Sequence, residues 1–136
     1  MAILDTNVIV RYLTDDDPEQ SRRALAFFQE IESGRRTVTL PEGVLFESVH
    51  ILSSPRSYNV DRETIRTRLL ALLRMPHLHM ANKRTHYRAL DLYMEYSRLS
   101  FVDAVCVAYA ERSPEKTVIG FDRDFRNLPA VVWEQP

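Results

Sequence analysis

The sequence predicts an α/β fold: a single domain with a mainly parallel central sheet flanked by helices. Short apolar and β-branched runs alternate with longer helical patterns, and no hairpin turn joins two of the runs. With 136 residues, 45% of them hydrophobic, the chain has the size of one domain with a proper core. We therefore expect one domain over residues 1–136.

Cap and turn signals set the element boundaries. Asp17, Pro18 and Gln20 match the start of a helix, and Gly34 suits its end. Asp61 is the expected cap of a later helix. The predicted order is a strand at 2–4, helices at 8–13 and 18–33, a strand at 37–40, helices at 41–54 and 62–75, a strand at 77–80, helices at 83–98 and 104–110, and strands at 117–119 and 131–133.

The first strand is an apolar run that ends on Asp5, and we expect it to be buried on both faces. In the helix over 83–98, Met94 is among the residues expected in the core. The single Cys106 lies in an apolar run and is interpreted as a core thiol, so no disulfide or cysteine metal site is expected. His77 and His79 lack a third ligand nearby and are interpreted as solvent-side residues.

Composition restricts the partners. A net charge of −1 and a pI near 6.4 argue against binding of nucleic acid through bulk positive charge, which leaves a local basic patch. Neither a signal-peptide apolar region nor an apolar run of membrane-spanning length is present in the sequence. We expect a soluble, cytoplasmic protein that does not associate with a membrane.

Four acids fall at related places in this fold. Asp5 and Asp122 each follow a predicted strand, Glu47 borders the apolar side of a helix, and Asp103 starts one. Carboxyl ends of parallel strands meet at one sheet edge, so Asp5 and Asp122 are expected to lie close together. Each acid also has a structural interpretation: Asp5 as a helix cap, Ser100-x-x-Asp103 as a capping box, Asp122 as a turn residue and Glu47 as a solvated side chain.

Carboxylates gathered at one edge repel one another and raise each other's pKa unless a cation compensates. Mg²⁺ prefers oxygen ligands and commonly links a few carboxylates to substrate phosphates. The predicted reaction class is phosphodiester hydrolysis.

Four sequence blocks carry a family resemblance. The chain resembles a PIN domain, and within that family it closely resembles the VapC-type toxin ribonucleases of type II toxin–antitoxin systems. The blocks are Leu4-Asp5-Thr6-Asn7-Val8 with Arg11-Tyr12-Leu13; Glu47 with Val49 and Leu52; Phe101-Val102-Asp103-Ala104; and Phe121-Asp122-Arg123-Asp124-Phe125 with Leu128-Pro129. One departure is Gly120, where the family usually has Thr or Ser, so a hydroxyl that could support the site is missing; nearby Asp124 could share that supporting role.

The resemblance implies a Mg²⁺- or Mn²⁺-dependent endoribonuclease that acts on RNA, is held inactive by a cognate antitoxin and is often a homodimer. Asp5, Asp103 and Asp122 would hold the metal, directly or through water. Glu47 would ligate it or orient the attacking water.

Supporting roles follow for residues beside these acids. Thr6 and Asn7 would position Asp5 or the substrate, and Arg11 would contact the RNA. A second basic face, formed by Arg62, Arg66 and Arg68, is a further candidate for RNA contact, although a solvated helix face is the favoured interpretation.

Two other functions remain open from the sequence. The first is a PIN-like module that binds RNA or protein without cutting, which the missing hydroxyl at Gly120 supports. The second is a phosphoryl-accepting receiver domain. Receivers pair early adjacent acids and use a Lys after a late strand, whereas Lys116 precedes one here.

Overall fold

A computed structural model describes all residues from 1 to 136. It contains two compact units, residues 1–83 and residues 84–136. Six α-helices, two after each of the first three strands, accompany five strands, and every strand pair is parallel. The predicted α/β class with a mainly parallel sheet is therefore confirmed.

The first unit contains a three-stranded parallel sheet in the order β1-β2-β3. The strands pair with Ala2 opposite Val38 and with Val38 opposite Leu78. The elements are β1 (Ala2–Ile3), α1 (Thr6–Leu13), α2 (Pro18–Glu32), β2 (Val38–Thr39), α3 (Glu42–Ser53), α4 (Arg62–Leu73) and β3 (Leu78–His79).

The expectation that β1 is buried on both faces is wrong. Ala2 and Ile3 are exposed, and 66% of Ile3 is accessible to solvent. β1 has only two residues and lies at the edge of the three-stranded sheet, where its hydrogen bonds go to β2 alone. An apolar run therefore did not distinguish an edge strand from a central one.

Helix starts in the first unit follow the predicted caps. The Asp17 carboxylate accepts a bond of 3.0 Å from the amide of Gln20, and Asp61 accepts one of 3.1 Å from the amide of Thr64. Gly34 follows α2 with a φ of 81°, a left-handed conformation that favours glycine. These bonds satisfy amides that the first helical turn leaves without partners, so the boundaries of α2 and α4 are fixed locally.

The second unit contains two helices and a pair of parallel strands. Val118, Ala104 and Ala108 are among its buried residues, and α6 contacts β4. A turn of 3-10 helix, Arg123–Phe125, connects the two strands. The elements are α5 (Lys83–Glu95, beginning at the unit boundary), α6 (Phe101–Arg112), β4 (Thr117–Ile119) and β5 (Val132–Glu134).

Two core predictions in this unit are wrong. Cys106 is exposed rather than a core thiol, because it lies on the side of α6 that also leaves Val102 and Tyr109 exposed. Partial burial of its sulfur, followed by the charge of Asp103, still raises the pKa of the Cys106 thiol. Met94 is 42% exposed, whereas Leu90 and Tyr93 on the same helix are buried.

Candidate active site

Asp5 leaves β1 at the carboxyl end of the first sheet. The amide of Leu4 donates a 2.9 Å bond to the Thr39 carbonyl, so strand pairing continues to the residue before Asp5. Asp5 then takes the N-cap position of α1 in extended backbone, yet its carboxylate accepts no capping hydrogen bond. Asp17 and Asp61 do use their carboxylates to cap helices. The exposed carboxylate of Asp5 is therefore available to a ligand.

Thr6 and Glu47 are joined by a hydrogen bond. The Thr6 hydroxyl donates to Glu47 Oε2 at 3.0 Å, and the two residues are separated by 41 positions. Thr6 is buried with 4% exposure, whereas Glu47 is exposed. α1 packs against α3, which brings the second turn of α3 to the start of α1. Thr6 therefore orients Glu47, a partner that the sequence did not indicate.

A cleft of about 460 Å³ opens beside Asp5. Residues of β1, α1 and α2 line it, and it combines charged, amide and apolar side chains. Its lining residues are Ile3, Leu4, Asp5, Asn7, Val8, Arg11, Gln20, Arg23, Ala24 and Phe27. Asn7 is exposed on the wall of this cleft, close in sequence to Asp5.

Arg11 is held by a hydrogen-bond network at the cleft wall. It donates to Gln20 Oε1 at 2.7 Å, to Asp16 Oδ1 at 2.9 Å and to the Tyr58 hydroxyl at 3.2 Å. Tyr58 in turn donates to Asp16 Oδ2 at 2.6 Å. The hydrogen bond from Tyr58 is the main cause that lowers the pKa of Asp16. The hydrogen bond between Arg11 and Asp16 is the main cause that raises the pKa of Arg11. Arg11 is thus fixed in place at the cleft.

In the second unit, Asp103 is a capping-box residue. The Ser100 hydroxyl accepts a 3.1 Å bond from the Asp103 amide, and Asp103 Oδ2 accepts a 3.4 Å bond from the Ser100 amide. The structural interpretation of this pair is therefore confirmed. It engages one carboxylate oxygen, so a capping role leaves Oδ1 of Asp103 for a ligand.

Asp122 and Asp124 belong to one tight turn after β4. Asp122 Oδ1 accepts a 2.9 Å bond from the amide of Asp124, so Asp122 caps the 3-10 turn as a turn residue would. The guanidinium of Arg98 fixes the same segment through the carbonyls of Asp124, at 2.9 Å, and Arg126, at 2.8 Å. The Asp124 amide thus holds the exposed carboxylate of Asp122, and Arg98 holds the backbone of the turn.

Gly120 lies directly before this turn. Its carbonyl accepts a 2.8 Å bond from the indole of Trp133, and its amide donates a 3.0 Å bond to the carbonyl of Glu134. A Cβ at Gly120 would lie 3.7 Å from the nearest atom of the Phe125 ring, an ordinary van der Waals contact. The position therefore has room for a Cβ.

The donor set fits a hard divalent cation in chemistry. Asp5 and Glu47 supply carboxylate oxygens in the first unit, and Asp103 and Asp122 supply them in the second, which are the donors Mg²⁺ and Mn²⁺ prefer. Neither unit contains a group of three or more His, Cys, Asp or Glu side chains that could hold a metal ion. The proximity of Asp5 and Asp122 stays a prediction.

A comparison with known protein families gives one match that covers nearly the whole chain. The model of the PIN domain family matches residues 2–131, a span that includes Asp5, Glu47, Asp103 and Asp122. Among curated proteins, none shows a significant sequence match to this chain. No helix of the structure has the length and apolar character needed to cross a membrane.

Proposed function

Because the chain belongs to the PIN domain family, whose members are commonly nucleases, we propose that it is a metal-dependent endoribonuclease. The observation that carries the proposal is the free carboxylate of Asp5 beside the bonded pair of Thr6 and Glu47. A helix cap alone does not account for it, because Asp5 occupies the cap position without using its side chain.

The proposed reaction is hydrolysis of RNA phosphodiester bonds. Asp5, Asp103 and Asp122 would hold Mg²⁺ or Mn²⁺ through carboxylate oxygens, directly or through water. When bound, the metal supplies a more acidic water and offsets charge on the phosphate. The unshared oxygens of Asp5 and Asp103 support this assignment.

Glu47 is the proposed base or water-orienting group. A carboxylate that takes a proton from water must be held within hydrogen-bond reach of it. The buried Thr6 hydroxyl restricts Oε2 of the exposed Glu47, and Oε1 takes no part in that bond. Asp124 has a supporting role, because its amide fixes Asp122.

RNA cleavage with added and removed metal tests this function. We expect purified protein to cut a mixed RNA substrate in Mg²⁺ or Mn²⁺, to stop in excess chelator, and to recover when metal is added again. Equal cleavage in chelator would contradict the metal mechanism. Tight binding of RNA or protein without any cleavage would instead favour a non-catalytic binding module, the alternative that the missing hydroxyl at Gly120 supports.

The proposed biological role is the toxin of a toxin–antitoxin pair, acting as a homodimer in the cytoplasm. Expression of the wild-type chain in a bacterial host should arrest growth, and co-expression of a cognate antitoxin should relieve the arrest. Asp103→Asn should remove toxicity without loss of soluble protein. Growth arrest that persists at full strength in this variant would argue against a toxin that acts by cleavage.

A further inference from the structure

We propose that the cleft beside Asp5 binds one nucleotide of the RNA next to the scissile phosphate, with Arg23 at its phosphate and Phe27 against its base. This inference rests on the proposed function and deepens it, because it assigns a substrate subsite and two residues that bind the substrate there. Both residues lie on the side of α2 that lines the cleft.

The size and position of the cleft suit a nucleotide. Its volume of about 460 Å³ lies in the range of small-ligand sites, roughly 300–1,000 Å³. Asp5, the proposed metal ligand, is part of its wall, so a nucleotide in the cleft adjoins the reacting phosphate.

The charge of the cleft complements a phosphate. Arg11 and Arg23 both line it, against one acid, Asp5. Arg11 is already bonded to Gln20, Asp16 and Tyr58, whereas exposed Arg23 takes part in none of those bonds. Because the whole chain has a net charge of −1, RNA must be held by such local cations. Arg23 is the cation of the cleft best placed to move onto a phosphate.

The apolar part of the cleft suits a base. Phe27 is partly exposed, and its ring is fixed by an edge-to-face contact with Phe28 at 6.1 Å. The guanidinium of Arg36, which does not line the cleft, lies over the Phe27 ring at 5.3 Å from the ring centroid. This contact also restricts the ring. Ile3 and Val8 add apolar surface to the lining of the cleft. Aromatic rings presented in this way stack bases without regard to sequence.

A protein segment is the other conceivable occupant, and the mixture of groups favours RNA over it. The same small cleft presents cations, a partly exposed aromatic ring and the carboxylate of a proposed metal site. A phosphate linked to a base matches all three at once. An apolar peptide would leave Asp5 and Arg23 without complementary groups.

Paired variants on α2 test the subsite. Arg23→Gln is compared with Arg22→Gln, an exposed arginine one position away that does not line the cleft. Phe27→Leu is compared with Leu25→Ala, which changes an exposed apolar residue of the same helix outside the cleft. The readouts are steady-state cleavage in Mg²⁺ and binding of a single-stranded RNA 12-mer in chelator, as a function of salt.

We expect Arg23→Gln to raise KM about tenfold with kcat little changed, as loss of uniform substrate binding does. It should also reduce the slope of log affinity against log salt by about 0.7, the value for one phosphate on a single strand. Phe27→Leu should weaken binding about fivefold, with the salt slope unchanged, because stacking is lost. Arg22→Gln and Leu25→Ala should match the wild type.

Two outcomes overturn the subsite. One is a wild-type enzyme that cleaves RNA while Arg23→Gln and Arg22→Gln are indistinguishable in KM and salt slope. The other is a peptide partner that loses affinity with Arg23→Gln and Phe27→Leu while RNA binding stays the same. Failure of the proposed function is separate, because then the wild type itself does not cleave in Mg²⁺.

Discussion

The hydroxyl of Thr6 donates a 3.0 Å hydrogen bond to Glu47 Oε2, and so links the start of α1 to the second turn of α3. Thr6 adjoins Asp5 in sequence, so this bond holds Glu47 to the residue that follows another proposed catalytic acid. A group that orients a metal ligand or catalytic carboxylate typically contributes 10- to 100-fold to affinity or activity. Thr6 is therefore a positioning residue in this account.

Thr6→Val should lower kcat by about 10- to 100-fold with little change in thermal stability, since Val has nearly the volume of Thr but donates no hydrogen bond. Thr6→Ser keeps the hydroxyl and should retain most activity. Cleavage rates and melting temperatures of both variants check this. Equal activity of Thr6→Val and Thr6→Ser would show that the bond to Glu47 is not needed.

Gly120→Ser should raise cleavage above that of Gly120→Ala. Both variants add a Cβ that the site accommodates, because it would lie 3.7 Å from Phe125, and Gly120 is not among the residues with positive φ. Both should stabilise the fold by about 0.4–1 kcal/mol through a less flexible unfolded chain. Only Ser adds a hydroxyl next to Asp122. Urea unfolding and cleavage assays separate the two effects, and identical cleavage by both variants would remove any role for a hydroxyl there.

Ser100→Ala should lower the free energy of unfolding by about 1 kcal/mol, the usual cost of losing an N-cap side chain. The Ser100 hydroxyl accepts the bond from the Asp103 amide, so the start of α6 would lose a partner. Asp103→Asn keeps an oxygen that can accept from Ser100 and should cost less stability but far more cleavage. Calorimetry and cleavage assays on both variants check this. If Asp103→Asn lost more stability than Ser100→Ala and kept its cleavage, Asp103 would serve only as a cap.

Acid should weaken the network around Arg11. The pKa of Asp16 lies below its ordinary value of 3.8, chiefly because Tyr58 donates to it. A lowered folded-state pKa means that this group stabilises the fold above its unfolded-state pKa. That contribution is lost as the pH falls below about 4 towards the folded-state pKa. Asp16→Asn removes the effect, so unfolding curves of the two proteins should differ at pH 7 and converge in acid. A constant difference across this pH range would contradict it.

Local signals in the sequence predicted most of the fold. Asp17 and Asp61 identify helix starts because capping involves only residues three positions apart. The edge position of β1 was not predictable in the same way, since it depends on which strand pairs with it. Exposure of Cys106 also escaped prediction, because an apolar stretch of helix does not show which side lacks a neighbour.

In the candidate site, too, local features were predictable from the sequence and long-range contacts were not. The acids could be selected from their places after strands and at helix starts, whereas the partners of Thr6 and Arg11 could not. Thr6 bonds a residue 41 positions away, and Arg11 bonds Tyr58, 47 positions away. Such contacts depend on helix packing, for which a single sequence carries no local signal.

The most direct measurement is the rate of RNA cleavage by Asp5→Asn relative to Asp15→Asn in saturating Mg²⁺. Asp15 is an exposed acid beyond the end of α1, so its variant controls for loss of one negative charge. Asp15→Asn should cleave at the wild-type rate. Asp5→Asn should lose more than the roughly hundredfold that an outer partner of a metal ligand contributes. Cleavage by Asp5→Asn at the rate of Asp15→Asn would contradict the assignment of Asp5 as a metal ligand.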